Sequence, residues 1–179
     1  EMLRSLVGSE MCIRDRVWAM QNGMLAEDGM MVGIGETVED RVHAIREMIA
    51  LGCDQVRAMT FVPQEGTPME QSGTVDSVNE LLCLAAMRLL RHDVLIPATL
   101  DVEGIAGMRT RLDAGANVVT SIIPAQSHLA GVAQCSMDIE DGHRCADYVI
   151  DRLREMGREP ATADDLKREF AKRKARIVA

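Results

Sequence analysis

The feature that most constrains this chain is a regular exchange between two hydrophobic periods. From Val17 onward, short β-like runs alternate with longer amphipathic helical ones, which predicts an α/β fold with a parallel sheet. The first strand is "GMMVGIG", Gly29 to Gly35. It leads into "ETVEDRVHAIREMIALG", where Val38, Val42, Ile45, Met48 and Ile49 share one helical face, Thr37 and Asp40 form a capping pair and Gly52 ends the helix. The second strand, "DQVRAMTFVP", is followed by the loop "QEGTPMEQSG" and by a helix that opens with Ser77 and Glu80 at capping-box spacing. A third strand, "VLIPATLDV", precedes "GIAGMRTRLDAGA", and "NVVTSIIP" is the fourth. Beyond the loop "AQSHLAGVAQ" lie a helix around Glu140 to Met156, with Tyr148, Val149 and Leu153 inward, and a last helix from about Thr162 to Lys174. Such units fit half of a TIM-type barrel or a small doubly wound sheet, which periodicity does not separate. A full barrel needs about 250 residues. With 179, the barrel reading makes this chain a fragment.

Charge and cysteine usage narrow the function classes. A net charge of −8 repels phosphate backbones unless basic residues gather on one face, and only the tail "LKREFAKRKARIV" gathers them. That tail lacks interleaved aromatics and a helix-turn-helix pattern, so a solvated terminal helix is expected and no nucleic-acid partner. No apolar run approaches the ~20 residues of a membrane span. Cys12, Cys53, Cys83, Cys135 and Cys145 show no C-x-x-C pair and no zinc-finger histidine spacing, so no metal site is expected. Without a signal peptide pattern, a cytoplasmic location is expected, with the later cysteines as small buried hydrophobes.

In a parallel α/β fold the reactive groups lie beyond the carboxyl ends of the strands. Here those ends read "GIGET", "TFVPQEGTP", "ATLDVEG" and "TSIIPAQSH". Arg57 shares a strand face with Met59 and Phe61, and Thr99 shares one with Asp101. A buried guanidinium needs a carboxylate, and two arrangements satisfy that need. Either Arg57 pairs with Asp101 and staples two strands, or Arg57 takes a ligand carboxylate while Asp101 takes an ammonium and Thr99 offers its hydroxyl, an α-amino-acid site. The glycines of "GMMVGIGE" do not form a dinucleotide fingerprint; they either pack strand against helix or let a cofactor approach the backbone. The thirteen methionines are read as core filler. His43, His92 and His143 are expected to face solvent, leaving His128 as the one histidine near the strand ends.

The blocks "DQVRAMTFVPQEGTPME" and "LIPATLDVEGIAGMRTRLDAGANVVTSIIPAQSHLAGVAQ" resemble the methylornithine synthases, radical S-adenosylmethionine enzymes of pyrrolysine biosynthesis related to biotin synthase. The likeness runs from about Val17 to Phe170. It implies the second half of a radical-SAM (βα)8 TIM-type barrel, with about four βα units plus C-terminal helices. It further implies a [4Fe-4S] cluster, S-adenosyl-L-methionine, and an isomerase that converts L-lysine to 3-methylornithine through a 5′-deoxyadenosyl radical. By the same resemblance Arg57, Thr99 and Asp101 bind substrate, Thr99 standing where the family carries Ser, and Gly33, Gly35 and Glu36 are cofactor-binding candidates. The family's C-x3-C-x2-C cluster motif is nowhere in the chain, so its ligands are expected in a missing N-terminal half. The fragment alone is then expected to be inactive, poorly soluble or molten, with that half as its natural partner. Two alternatives are another biotin synthase-like radical SAM enzyme and a non-catalytic half-barrel that binds an amino acid.

"SLVGSEMCIRDR", Ser5 to Arg16, does not resemble any part of that family. Read back as codons, it resembles a transposase-type sequencing adapter. Residues 1–16 are therefore expected to be a non-native extension and 17–179 the barrel segment, with Cys12 an adapter residue rather than a ligand.

Overall fold

The computed structural model describes residues 13–73, 75–124 and 141–178. A helical stretch over residues 13–21 (α1) precedes β1 (Glu27–Val32), α2 (Val38–Ala50), β2 (Gln55–Thr60) and α3 (Val78–Leu90). Then follow β3 (Pro97–Thr99), α4 (Gly104–Asp113), β4 (Val118–Thr120), α5 (Ala146–Glu155) and α6 (Ala163–Val178). β1 and β2 pair in parallel from Glu27 opposite Gln55 to Val32 opposite Thr60, and β3 and β4 from Pro97 opposite Val118 to Thr99 opposite Thr120. A parallel bridge between Gln55 and Leu95 joins the two pairs: Val56 N donates to Leu95 O at 2.9 Å and Leu95 N to Asp54 O at 3.0 Å. Neighbouring strands thus follow chain order, without the reversal that a doubly wound sheet carries.

The strands are shorter than their apolar runs. β1 stops at Val32 because Gly33 turns to φ +96° and gives its N–H to the Glu36 carboxylate at 2.9–3.0 Å. β3 and β4 keep three residues each. Past Thr99 the chain turns toward α4, and the Asp101 N–H goes to the Thr99 hydroxyl at 3.3 Å instead of to a neighbouring strand.

One face of the sheet carries the core. Val32, Val56, Ala58, Ile96, Ala98 and Leu100 are buried against Ile45 and Met48 of α2, Leu84 and Met87 of α3, and Met108 of α4. Each large apolar side chain so buried contributes roughly 1.5–3 kcal/mol, which makes this layer the main source of stability. On the opposite face of the β1–β2 pair, Glu27, Gly29 and Met31 are exposed and Arg57 and Met59 half-buried. That face has no covering layer among the described residues. Val38 and Val42, placed on the inner stripe of α2 by their spacing, are exposed; Ile45 and Met48 carry the contact.

The two expected capping boxes part company. At α2 the box forms: Asp40 N donates to Thr37 Oγ1 at 3.1 Å and Thr37 N to Asp40 Oδ2 at 2.9 Å. At α3, Ser77 is the N-cap residue but makes no cap bond, its hydroxyl donating to Glu103 at 2.8 Å instead. Glu80 is drawn inward. It accepts from Thr60 N at 2.9 Å and Thr60 Oγ1 at 2.5 Å, and pairs through both oxygens with Arg111 Nε (2.6 Å) and Nη2 (3.2 Å). A cap is worth about 1 kcal/mol, whereas leaving a buried guanidinium unpaired costs about 3–5, so Arg111 wins the carboxylate. Gly107 makes room for this cluster, since a Cβ there would lie 2.3 Å from Arg111 Nη1 and 2.6 Å from Glu103 Oε2.

The basic tail is helical but not uniformly solvated. Lys167, Arg168, Lys172 and Lys174 are exposed, while Arg173 is buried and reaches the turns before β2 and β3. It donates to Asp54 O at 2.9 Å and to Asp93 O, and pairs with Glu169 at 2.7 Å. α6 is therefore tied to the amino ends of the strands, away from the ends where chemistry is expected. Among the described residues, no helix is long and apolar enough to cross a membrane.

Candidate functional site at the carboxyl ends of β3 and β4

The end of β3 and the end of β4 place two hydroxyl side chains around one carboxylate. Thr99 closes β3 and Asp101 follows two residues on, so the strand's turn brings the Thr99 hydroxyl within 3.0 Å of Asp101 Oδ2, to which it donates. Ser121 follows β4 with φ +65°, a left-handed conformation that costs a non-glycine residue of order 1 kcal/mol or more. Its hydroxyl donates to the same Oδ2 and lies 3.3 Å from the Thr99 hydroxyl. Arg144, in the turn before α5, is fully buried. Its Nη2 donates to Asp101 Oδ1 at 2.8 Å and to Ser121 O at 2.8 Å, and its Nε to Ser121 O at 3.1 Å. Burial pushes the Asp101 carboxyl up, but the donors Ser121, Arg144 and Thr99 outweigh it and hold the group below its ordinary value. Two buried polar atoms beside this cluster, Thr120 Oγ1 and Arg144 Nη1, have no hydrogen-bond partner among the described residues.

Thr99 and Asp101 are thus brought together as expected, and Arg57 is not. Among the described residues no ion pair or hydrogen bond joins Arg57 to Asp101. Arg57 pairs through Nε with Glu27, and its Nη1 lies 3.7 Å from Met59 Sδ. The premise of a buried guanidinium fails, because the Arg57 side chain is 28% exposed on the uncovered face and does not need an interior carboxylate. Gly29 opens the path: a Cβ there would stand 2.4 Å from Arg57 Cγ. Asp101 is served by Arg144. Spacing does not reveal Arg144, which lies 43 residues from Asp101 and outside every strand. Ser121 was legible only as part of the polar strand end "TSIIPAQSH".

The loop after β1 is mostly self-satisfied. The Glu36 carboxylate accepts from Gly33 N and Ile34 N and lies 3.5 Å from Arg41 Nη1. Slight burial pushes its carboxyl up, but those backbone N–H groups and Arg41 leave it below the ordinary value. A Cβ on Gly33 would strike Val75 at 2.3 Å, so protein already fills that approach; Gly35, at φ +103°, has open space beside it. Of the cofactor candidates, Gly35 alone fits a close approach by an outside group.

Among the described residues, no group of three or more His, Cys, Asp or Glu side chains could hold a metal ion. Cys53 and Cys83 are buried in the core, where burial pushes both thiols up and away from the thiolate a metal would need. Cys145 is half-buried, and Cys12, Cys135 and His128 lie outside the described residues. His43 and His92 are exposed, whereas His143 is half-buried and stacks on Tyr148 with ring centroids 4.6 Å apart. A cavity of about 620 Å³ lies elsewhere, lined by Leu112, Val119, Val149 and Leu153 among others, and it includes none of the Asp101 cluster.

No protein-family profile matches the chain. The 3-methylornithine synthase of Methanosarcina acetivorans is 47% identical over 146 residues, which are 82% of this chain and 42% of that protein. The 3-methylornithine synthase of Methanosarcina barkeri is 44% identical over 153 residues, 86% of this chain and 44% of that protein. The crystal structure of methylornithine synthase (PylB) superposes with a TM-score of 0.81 at 43% identity, covering 88% of this chain and 47% of that one. The chain therefore spans less than half the length of each relative, as a C-terminal half would. Over more than four-fifths of its own length, this chain is homologous to the 3-methylornithine synthases.

Proposed function

We propose that residues 17–179 are the C-terminal half of a radical SAM (βα)8 barrel that rearranges L-lysine to 3-methylornithine in pyrrolysine biosynthesis, and that residues 1–16 are not native to it. The observation that carries this reading is the Thr99–Asp101–Ser121–Arg144 cluster, set at the strand ends of a chain 43–47% identical to methylornithine synthases. Strand neighbours in chain order and a bare face on β1–β2 also favour half of a barrel over an open doubly wound sheet. The bare face would be the barrel's interior, closed by the missing half.

In that setting Asp101 takes the substrate ammonium, with Thr99 lending a hydroxyl lone pair. Arg57, on the interior face, takes the carboxylate after parting from Glu27. S-adenosyl-L-methionine and a [4Fe-4S] cluster, held by the other half, would supply the 5′-deoxyadenosyl radical. The described residues of this chain do not fit a cluster, and toward the cofactor they offer the open backbone at Gly35, in a loop that Gly33 and Glu36 shape. Their part is to bind and orient the amino acid; alone, the segment would be inactive. The location would be cytoplasmic, with neither nucleic acid nor membrane as a partner.

The test is the gene from which the segment derives. In-frame codons for C-x3-C-x2-C ahead of Val17, and 3-methylornithine formed from L-lysine by the intact product, are expected. A start codon close to Val17, or an intact product that leaves lysine unchanged, overturns the proposal.

A further inference from the structure

Two fully buried arginines offer a contrast within the same half of the sheet. Arg111 is engaged at all three nitrogens: Nε and Nη2 bind Glu80, and Nη1 binds Glu103 at 2.9 Å and Gly107 O at 3.3 Å. Arg144 is equally buried but leaves Nη1 without a partner, spending Nε and Nη2 on Asp101 and on the carbonyl of the strained Ser121. An unpaired donor in a buried guanidinium costs stability, and Arg173 bears that cost at Nε in a structural contact; what sets Arg144 apart is what it holds, the Asp101 carboxylate and the Ser121 carbonyl. Backbone strain gathers where a fixed geometry is required, and Ser121 bears it beside the same carboxylate.

Counting lone pairs shows what this geometry leaves open. A carboxylate has about four acceptor positions. On Asp101, Oδ2 is engaged by the Thr99 and Ser121 hydroxyls and Oδ1 by Arg144, so among the described residues one position on Oδ1 remains. The neighbouring Thr120 hydroxyl, paired in register with Thr99, is buried without a partner. A primary ammonium has three N–H donors, and the open Oδ1 position can accept one of them.

We infer that Arg144 is a positioning residue for amino-group recognition: it fixes the Asp101 carboxylate and the Ser121 backbone so that the free Oδ1 position meets a primary ammonium. This rests on the amino-acid reading above and extends it to a residue outside every motif. Arg144 need not touch the ligand. It also supplies the positive charge that favours ionised Asp101; among the described residues, Glu103, paired with Arg111, lies two residues on from Asp101, and His143, stacked on Tyr148, adjoins Arg144.

The experiment uses the intact enzyme carrying this segment, with Arg144→Gln, Arg144→Lys and wild type compared in a His143→Asn background that removes the neighbouring imidazole. Equilibrium dialysis with L-lysine as the probe is run against pH, and the Asp101 carboxyl is followed by 13C NMR without ligand. Arg144→Gln is expected to weaken lysine binding on the order of tenfold or more and to move its acid limb to higher pH, with Asp101 titrating higher to match. Arg144→Lys is expected to recover the acid limb, because the charge returns, while regaining only part of the affinity, because the fork does not. Unchanged affinity and an unchanged Asp101 titration in a folded Arg144→Gln protein overturn the inference. A wild type that does not bind lysine, with Asp101 still shifting in Arg144→Gln, overturns the lysine reading and leaves the positioning role standing.

Discussion

Arg57 and Arg144 each face a carboxylate, yet the two pairs are built from opposite materials. Arg57 meets Glu27 on the bare face of β1–β2, with side chains 28% and 41% exposed, and only the missing Cβ of Gly29 keeps its path clear. Arg144 meets Asp101 behind β4, with 0% and 22% exposed, and Thr99 and Ser121 close around the same carboxylate. Solvent screens the first pair, so it can open at little cost. The second is fixed, because either partner left alone would be a poorly hydrated charge. In the proposed amino-acid site the two kinds would act together, Asp101 held in place and Arg57 free to exchange partners.

The largest effect should come from the buried cluster that shapes the same strand ends. Glu80→Ala strands Arg111, at 0% exposure, with only Glu103 and a carbonyl, and removes the acceptor of two Thr60 bonds. A loss of about 3–5 kcal/mol in urea or thermal unfolding of the intact enzyme is expected. A loss under 1 would mean that burial does not separate these pairs. Gly107→Ala should act on the same cluster through sterics, costing about 1–3 kcal/mol, since both Arg111 and Glu103 must move.

Acid should reach Asp101 next. Its carboxyl sits below its ordinary value, so the stability it contributes is fully present above the unfolded carboxylate range, near 4, and is lost as pH falls through the lower folded value. Asp101→Asn should therefore be less stable at neutral pH and should lose less than wild type on acidification. Parallel acid limbs for the two proteins would show that Asp101 is not held ionised by Arg144 and the hydroxyls.

The sequence carried the fold further than the site, for a physical reason. Strand and helix periods are local, so the units around Val56, Leu84 and Met108 could be read from spacing, as could the Thr37–Asp40 box. What spacing misjudged was competition: Glu80 has the pattern of a cap but serves Arg111, which lies 31 residues away. The same limit governs the site. Thr99 and Asp101 sit two apart on one strand end and were legible together, whereas Arg57 and Asp101 were joined only on the premise that Arg57 is buried. Nothing in the local sequence says that Glu27, across a parallel register, lies nearer to Arg57, or that Arg144 comes back from beyond β4.

Glu27→Gln should have the smallest effect on stability and the most direct bearing on the contrast between the pairs. In the segment alone, where the pair is partly exposed, such a contact is worth about 0–1 kcal/mol, so its melting curve should hardly move. Binding is different. Glu27 occupies the guanidinium that the proposed function gives to the substrate carboxylate, so it competes with the ligand, and removing its charge should tighten L-lysine binding by up to roughly fivefold, the equivalent of the lost pair. Glycinamide, which has the ammonium without the carboxylate, should gain nothing. If Glu27 instead held Arg57 in its working position, the substitution would weaken lysine binding. Because the two roles predict opposite signs, one titration of the variant beside wild type decides whether the exposed pair is a replaceable contact or part of the fixed site.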